Sequence, residues 1–112
     1  MNILIVNLLR LGDVIFSLPI AKNLRFNFNN AKICYLVREN IVDIFKYAPY
    51  VDKAYGYKSK VNLLSNLREF KKFEHVIFIM EKDIFRLKVF SLLGVKRRIG
   101  FPLSENIKNY LT

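Results

Sequence analysis

The sequence contains no tryptophan, one cysteine and one histidine among its 112 residues. The single cysteine, Cys34, excludes a disulfide framework, and its place in an apolar run predicts a buried thiol. With a lone His75 and no cluster of cysteine and histidine, a zinc site has no support and we predict no metal. No run of about 18 apolar residues free of charge is present, and the N-terminus lacks the basic segment of a signal peptide. We therefore expect a cytoplasmic protein whose contact with a membrane is peripheral.

Acidic residues are also scarce, with 9 Asp and Glu against 19 Lys and Arg, which gives a formal net charge of +10. The positive charge is spread along the chain, so a solvated basic surface explains it as well as an anionic partner does. An anionic membrane, a sugar phosphate and a nucleic acid all remain open as partners. A hydrophobic fraction of 53% and a length of 112 residues indicate one globular domain with a single core.

Short apolar runs alternate with segments of helical spacing, which is typical of a parallel sheet with crossover helices. The predicted strands cover 2–7, 32–37, 53–57, 75–80 and 97–101, and the predicted helices cover 11–28, 39–47, 61–71 and 83–93. The first and fourth strands are apolar without alternation, as central strands covered on both faces are. The fold class is therefore α/β, a Rossmann-like parallel sheet with helices on both faces and the strand order 3-2-1-4-5.

Local details of the helices can also be predicted. In the first helix, Leu11, Val14, Ile15 and Leu18 begin an apolar stripe, and Pro19 should bend the helix or break it after its first turn. The fourth helix is bounded by Asp83 and Gly94. Because that helix is unusually apolar, we expect it to expose an apolar surface.

The segment from Asn7 to Val14 is the most informative part of the chain, because ligands bind at the carboxyl ends of central strands. Asp13 lies on the first helical turn, where it either caps the helix or offers an ionised carboxylate to a ligand. Gly12 forms a tight turn or lets a substrate approach the backbone, and it belongs to no G-x-G-x-x-G motif. Arg10 either steers an anionic ligand or is a solvated loop residue.

An ordered series of short motifs resembles glycosyltransferase family 9, the heptosyltransferases that build the lipopolysaccharide inner core. The series opens with Arg10-Leu11-Gly12-Asp13-Val14 and Ser17-Leu18-Pro19. It continues through residues 37–38, 48–52, 67–68, 73–74 and 98–101. The resemblance extends over nearly the whole chain.

The resemblance implies a GT-B architecture of two Rossmann-like domains, of which residues 1–112 form the N-terminal, acceptor-binding one. The C-terminal donor-binding domain is expected to be absent, so the isolated chain is expected to be inactive. Asp13 matches the general base of an inverting sugar transfer, and we expect Arg10 and Gly12 to contact the acceptor. The resemblance implies no cofactor.

The implied partners are a lipopolysaccharide core acceptor, a separate donor-binding domain that binds a nucleotide-sugar such as ADP-heptose, and the inner membrane as a peripheral contact. Nucleic acid is not among them. Two departures from the family predict fewer polar contacts at the acceptor site: Leu8 and Leu9 in the first loop, and Phe78 in the fourth strand.

Two further interpretations remain beside the enzyme. One is a stand-alone binding module that holds an anionic sugar or lipid headgroup through Arg10, Arg38 and the basic surface. The other, a nucleic-acid binder, rests on charge alone, because no RNP-type pattern is present.

Overall fold

A computed structural model describes residues 1–100, 108 and 110–112 of the chain. The sheet consists of β1 (Asn2–Val6), β2 (Lys32–Arg38), β3 (Lys53–Tyr57), β4 (His75–Phe78) and β5 (Arg97–Ile99). The helices are α1 (Leu11–Asn27), a 3-10 helix (Glu39–Tyr47), α2 (Lys60–Ser65), α3 (Leu67–Phe70) and α4 (Ile84–Leu92). Phe101, the predicted end of the fifth strand, lies outside the described residues.

All five strands are parallel and lie in the order β3-β2-β1-β4-β5, so the predicted α/β class and strand order are confirmed. Alternate residues of β1 face opposite sides of the sheet. Ile3 and Ile5 pack beneath α1 and the 3-10 helix, whereas Leu4 and Val6 pack beneath α2, α3 and α4. Burial on both faces is the reason that this strand is apolar throughout.

Helix α1 continues through Pro19 over 17 residues, so of the two expected effects of this proline, a bend or a break, the break does not occur. Its buried face consists of Val14, Ser17 and Ala21, which hold the helix against the sheet along its length. The Ser17 hydroxyl donates to the Val14 carbonyl at 2.6 Å and lies 3.1 Å from the Tyr35 hydroxyl. These small residues let the helix lie close to β2.

This orientation corrects the predicted apolar stripe of α1. Leu11 and Ile15 were expected to face the core, but they are 46% and 48% exposed. The reason is that the buried polar pair of Ser17 and Tyr35 sets the rotation of the helix, which a pattern of apolar residues alone does not encode. The outer face of α1 consequently exposes Phe16 and Phe26, at 85% and 69%.

The helix predicted over 61–71 is two helices, α2 and α3, separated at Asn66. The side-chain amide of Asn66 donates to the carbonyl of Asn62 at 2.8 Å. A side chain that bonds to the backbone in this way competes with helical hydrogen bonds, which accounts for the interruption.

Helix α4 has the predicted boundaries. The Asp83 carboxylate accepts a hydrogen bond from the amide of Phe85 at 2.9 Å, and Gly94 ends the helix with a φ of +77°. The apolar surface expected on this helix is not there, because most of its apolar residues pack against the sheet and only Leu92 is largely exposed, at 88%.

Within the described ranges, no helix combines the length and the hydrophobicity needed to cross a bilayer.

Candidate functional site

The candidate site lies at the carboxyl ends of β1, β2 and β4. The chain leaves β1 towards α1 on one face of the sheet and leaves β4 towards α4 on the other face. Since β1 and β4 are neighbours, the loops that follow them diverge and leave a crevice between them. This is where open α/β sheets bind ligands.

Asn7, the first residue after β1, anchors the loop at this crevice. Its amide nitrogen donates to the carbonyl of Leu36 at 2.9 Å, which extends the pairing with β2 by one residue. Its fully buried side chain donates to the main-chain oxygen of Asp13 at 3.4 Å and accepts from the amide of Leu9 at 3.2 Å. The loop and the first turn of α1 are therefore fixed by one polar side chain in the core, a role that the sequence did not reveal.

Asp13 is the third residue of α1 and its side chain is exposed. The residue at the N-cap is Arg10, which makes no side-chain capping bond. Among the described residues, the Asp13 carboxylate has no hydrogen-bond or ion-pair partner, so it does not cap the helix. A negative charge on the first turn is favoured by the helix dipole, and the carboxylate oxygens remain available to a ligand.

Gly12 is the second residue of α1, so its expected role as a turn glycine is wrong. Residues 7–10 make the turn, and Gly12 does not have the positive φ that would require a glycine. A Cβ atom built at Gly12 would meet nothing within 4 Å. The protein itself thus gives no reason for a glycine here.

Arg10 and Arg38 line one pocket of about 210 Å³ together with Leu11, Asn40, Ile41 and Ile44. The Nε atom of Arg38 donates to the carbonyl of Leu8 at 2.8 Å, which ties the loop after β1 to the end of β2. Neither arginine forms an ion pair with a carboxylate in the part of the chain that the structure describes. The structure therefore brings together the two arginines that the sequence singled out, while Gly12 and Asp13 lie beside this pocket without lining it.

A second pocket, of about 250 Å³, lies between the loops after β1 and β4. Leu8, Leu9 and Arg38 line it on one side, and Glu81 and Arg86 line it on the other. Leu8 and Leu9 thus lie at the crevice, opposite charged side chains.

Glu81 and Arg86 form a two-pronged ion pair that the sequence analysis missed. The Nε and Nη2 atoms of Arg86 donate to the two Glu81 oxygens at 2.9 and 2.6 Å, and Nη1 lies 3.5 Å from Asp83. Burial opposes the charge of Arg86, but the bonds with Glu81 outweigh it and raise the pKa of Arg86 above its ordinary value. The close spacing of Glu81, Asp83 and Arg86 around the start of α4 is the one sequence signal that could have indicated the pair.

Met80 precedes this ion pair with a φ of +50°, a left-handed conformation that is strained for a residue other than glycine.

Phe78, the last residue of β4, is buried against Phe90 of α4, with ring centroids 5.7 Å apart. The side chain of Phe78 thus belongs to the core and not to the crevice. Among the described residues, no group of three or more metal-binding side chains occurs.

In sequence, the chain matches no family model and no curated protein. In structure, it is similar to a glycosyltransferase of family 9 from Veillonella parvula, with a TM-score of 0.79 and 20% identity over 99% of this chain and 34% of that one. It is also similar to the E. coli ADP-heptose LPS heptosyltransferase II, with a TM-score of 0.78 and 21% identity over 99% and 33% of the two chains. A third similar structure is the E. coli heptosyltransferase WaaC with ADP, with a TM-score of 0.72, 16% identity and coverage of 100% and 39%.

The chain thus spans between a third and two fifths of the length of the solved structures it matches. The resemblance to family 9 glycosyltransferases is confirmed at the level of the fold, and the sheet with its helices corresponds to part of their GT-B architecture.

Proposed function

We propose that this chain is the acceptor-binding part of a heptosyltransferase-like glycosyltransferase. The complete enzyme would transfer a sugar, with inversion, from a nucleotide-sugar such as ADP-heptose to a lipopolysaccharide core acceptor. A donor-binding domain would complete it, and its contact with the inner membrane would be peripheral. Transfer needs charge stabilisation of the leaving diphosphate, which the donor-binding domain would supply, so the chain alone would not turn over.

One observation carries this proposal: the Asp13 carboxylate, which has no partner among residues 1–100, 108 and 110–112, lies on the first turn of the helix after the central strand, on the fold of family 9 glycosyltransferases. The N-cap position of this helix is Arg10, so Asp13 does not have the capping role that was the alternative to a catalytic one. The open space around Gly12 lets a ligand approach the same turn closely.

In the reaction, Asp13 would act as the general base. Its carboxylate would take the proton from the acceptor hydroxyl while that oxygen attacks the anomeric carbon, and the bond to the nucleoside diphosphate would break on the opposite side. Asn7 would position the base through its bond to the main chain of Asp13. Arg10 and Arg38 would hold the anionic groups of the acceptor, since guanidinium groups bind phosphate and carboxylate with two parallel hydrogen bonds.

The second candidate function is a stand-alone module that binds an anionic sugar or lipid headgroup. The observation that favours it is the pocket shared by Arg10 and Arg38, which needs no second domain to bind an anion. Both functions predict acceptor binding, and they differ in whether Asp13 takes part in a reaction.

Acceptor binding can be tested by titrating the isotope-labelled chain with a deacylated lipopolysaccharide inner-core oligosaccharide and following amide shifts by NMR. We expect shifts in residues 8–13 and 38–41, and a loss of affinity of roughly tenfold or more in Arg10→Ala, because charged hydrogen bonds are worth about 1.5–3 kcal/mol. Lys88→Ala, at an exposed position of α4, serves as the control. Equal affinities of the two variants would contradict both candidate functions.

A further inference from the structure

An apolar groove lies beside the candidate site, between α1 and the segment that follows β2. It has a volume of about 380 Å³, and its walls include Leu18 and Pro19 of α1, Ile44 and Tyr47 of the 3-10 helix, and Ala48 and Val51 beyond it. Its size falls within the range of small-molecule sites. Lys22 is the one charged residue along its wall in the described part of the chain.

This groove adjoins the arginine pocket. Ile44 lines both, so the apolar groove and the pocket of Arg10 and Arg38 meet at this residue. No aspartate or glutamate lines either of the two in the part of the chain described by the structure. The two adjoining pockets, taken together as one cleft, would have an apolar wall and a cationic end.

We propose that this cleft binds an anionic amphiphile, with an acyl chain in the groove and a phosphate or carboxylate headgroup on Arg10 and Arg38. Burial of methylene groups against Leu18, Ile44 and Val51 supplies affinity in proportion to chain length. The two arginines select the sign of the headgroup. The idea that this amphiphile is the lipid portion of a sugar acceptor rests on the proposed function. The affinity of the groove for an acyl chain does not depend on that function.

The charge and the shape favour an amphiphile over a second protein. A helix from a partner would cover the outer face of α1, where Phe16 and Phe26 are exposed, and neither of these residues lines the groove.

The first measurement uses three probes on the methyl-labelled chain: decyl phosphate below its critical micelle concentration, decyltrimethylammonium, and inorganic phosphate. We expect decyl phosphate to shift the methyl signals of Leu18, Ile44 and Val51 and to bind roughly two orders of magnitude more tightly than inorganic phosphate, because each buried methylene contributes up to about fourfold. The cationic probe should bind much more weakly. Equal binding of both decyl probes, or shifts confined to residues outside the groove such as Leu92 and Val61, would overturn the proposal.

The second measurement uses variants. Ala48→Phe fills the groove and should lower the affinity for decyl phosphate at least tenfold, because burial of the decyl chain supplies most of that affinity. The affinity for inorganic phosphate should stay unchanged. Val61→Phe places the same phenylalanine ring at an exposed position of α2, on the other face of the sheet, and should change neither affinity. The melting temperature of each variant checks that it folds. If Ala48→Phe does not fold, the methyl shifts of the unaltered protein still test the proposal.

The two proposals can fail separately. Binding of decyl phosphate without binding of the core oligosaccharide would support the proposed amphiphile site and contradict the proposed function. Binding of the oligosaccharide without a gain from the decyl chain would contradict the inference drawn here.

Discussion

The buried side chain of Asn7 donates a hydrogen bond to the main-chain oxygen of Asp13, 3.4 Å away. This bond joins the end of the central strand to the first turn of α1, and the same side chain accepts from the amide of Leu9. The position of the proposed base therefore depends on a residue in the core.

Asn7→Ala should destabilise the fold by about 2 kcal/mol, because it removes a fully buried side chain together with its hydrogen bonds to the Leu9 amide and the Asp13 carbonyl. The free energy of unfolding in urea measures this loss. Asn27→Ala, in which the lost bond joins exposed atoms of the same helix, should cost less than about 0.5 kcal/mol. Equal losses in the two variants would show that the Asn7 bonds contribute no more than a surface contact.

Gly12→Ala should stabilise the protein by about 0.5 kcal/mol, because Gly12 is helical and the added methyl group meets open space. Gly94→Ala should instead destabilise it by about 1 kcal/mol, since the φ of +77° at this position suits glycine. Thermal unfolding of the two variants checks these opposite signs. If Gly12→Ala also weakens binding of the core oligosaccharide, close approach of the ligand is the reason for the glycine.

The exposed rings on the outer face of α1 should cause the chain to self-associate or to bind apolar dyes. Phe16→Ser combined with Phe26→Ser should reduce both, as measured by sedimentation and by dye fluorescence. Leu92→Ser removes a similarly exposed residue from α4 and serves as the control. A stable monomer at high concentration with no bound dye, before any substitution, would contradict this prediction.

The stability of the fold should decrease at alkaline pH. Burial raises the pKa of Tyr55 from 10.0 to about 12, and the neighbouring Cys34 and Glu69 add to the effect. The folded state holds the phenolic proton more tightly than the unfolded state, so the stabilisation is complete below about pH 10 and is lost as the pH rises towards 12.

Tyr55→Phe should therefore lose less stability than the unaltered protein between pH 9 and pH 11.5, as followed by urea denaturation. Tyr47→Phe removes a phenol that is 89% exposed and controls for the substitution itself. An identical pH dependence of Tyr55→Phe and the unaltered protein would show that Tyr55 does not contribute.

The strand order could be predicted from the sequence because the two central strands are apolar on both faces and helical segments separate all five. The boundaries of α4 were predictable for a local reason, since Asp83 and Gly94 act on their own backbone. The rotation of α1 and the split at Asn66 were not, because a buried Ser17–Tyr35 contact and a side-chain bond decide them. Both depend on polar atoms that a hydrophobic pattern does not describe.

The same distinction applies to the candidate site. Arg38 ends β2, and Arg10 and Asp13 lie within seven residues of the end of β1, so their place at one edge of the sheet was predictable. Asn7 and the pair of Glu81 and Arg86 act through contacts made only in the folded chain. The strained backbone of Met80 likewise has no sequence signal.

The most direct test of the account is the rate of sugar transfer by Asp13→Asn, with the chain joined to the donor-binding half of a family 9 glycosyltransferase. Asparagine keeps the shape of the side chain but cannot take a proton from the acceptor at neutral pH. We predict that the rate falls by roughly 100-fold or more, while the melting temperature and the affinity for the oligosaccharide stay unchanged. Asp43→Asn, an exposed substitution on the 3-10 helix, is the control and should transfer at the normal rate. Near-normal transfer by Asp13→Asn would contradict the assignment of Asp13 as the catalytic base.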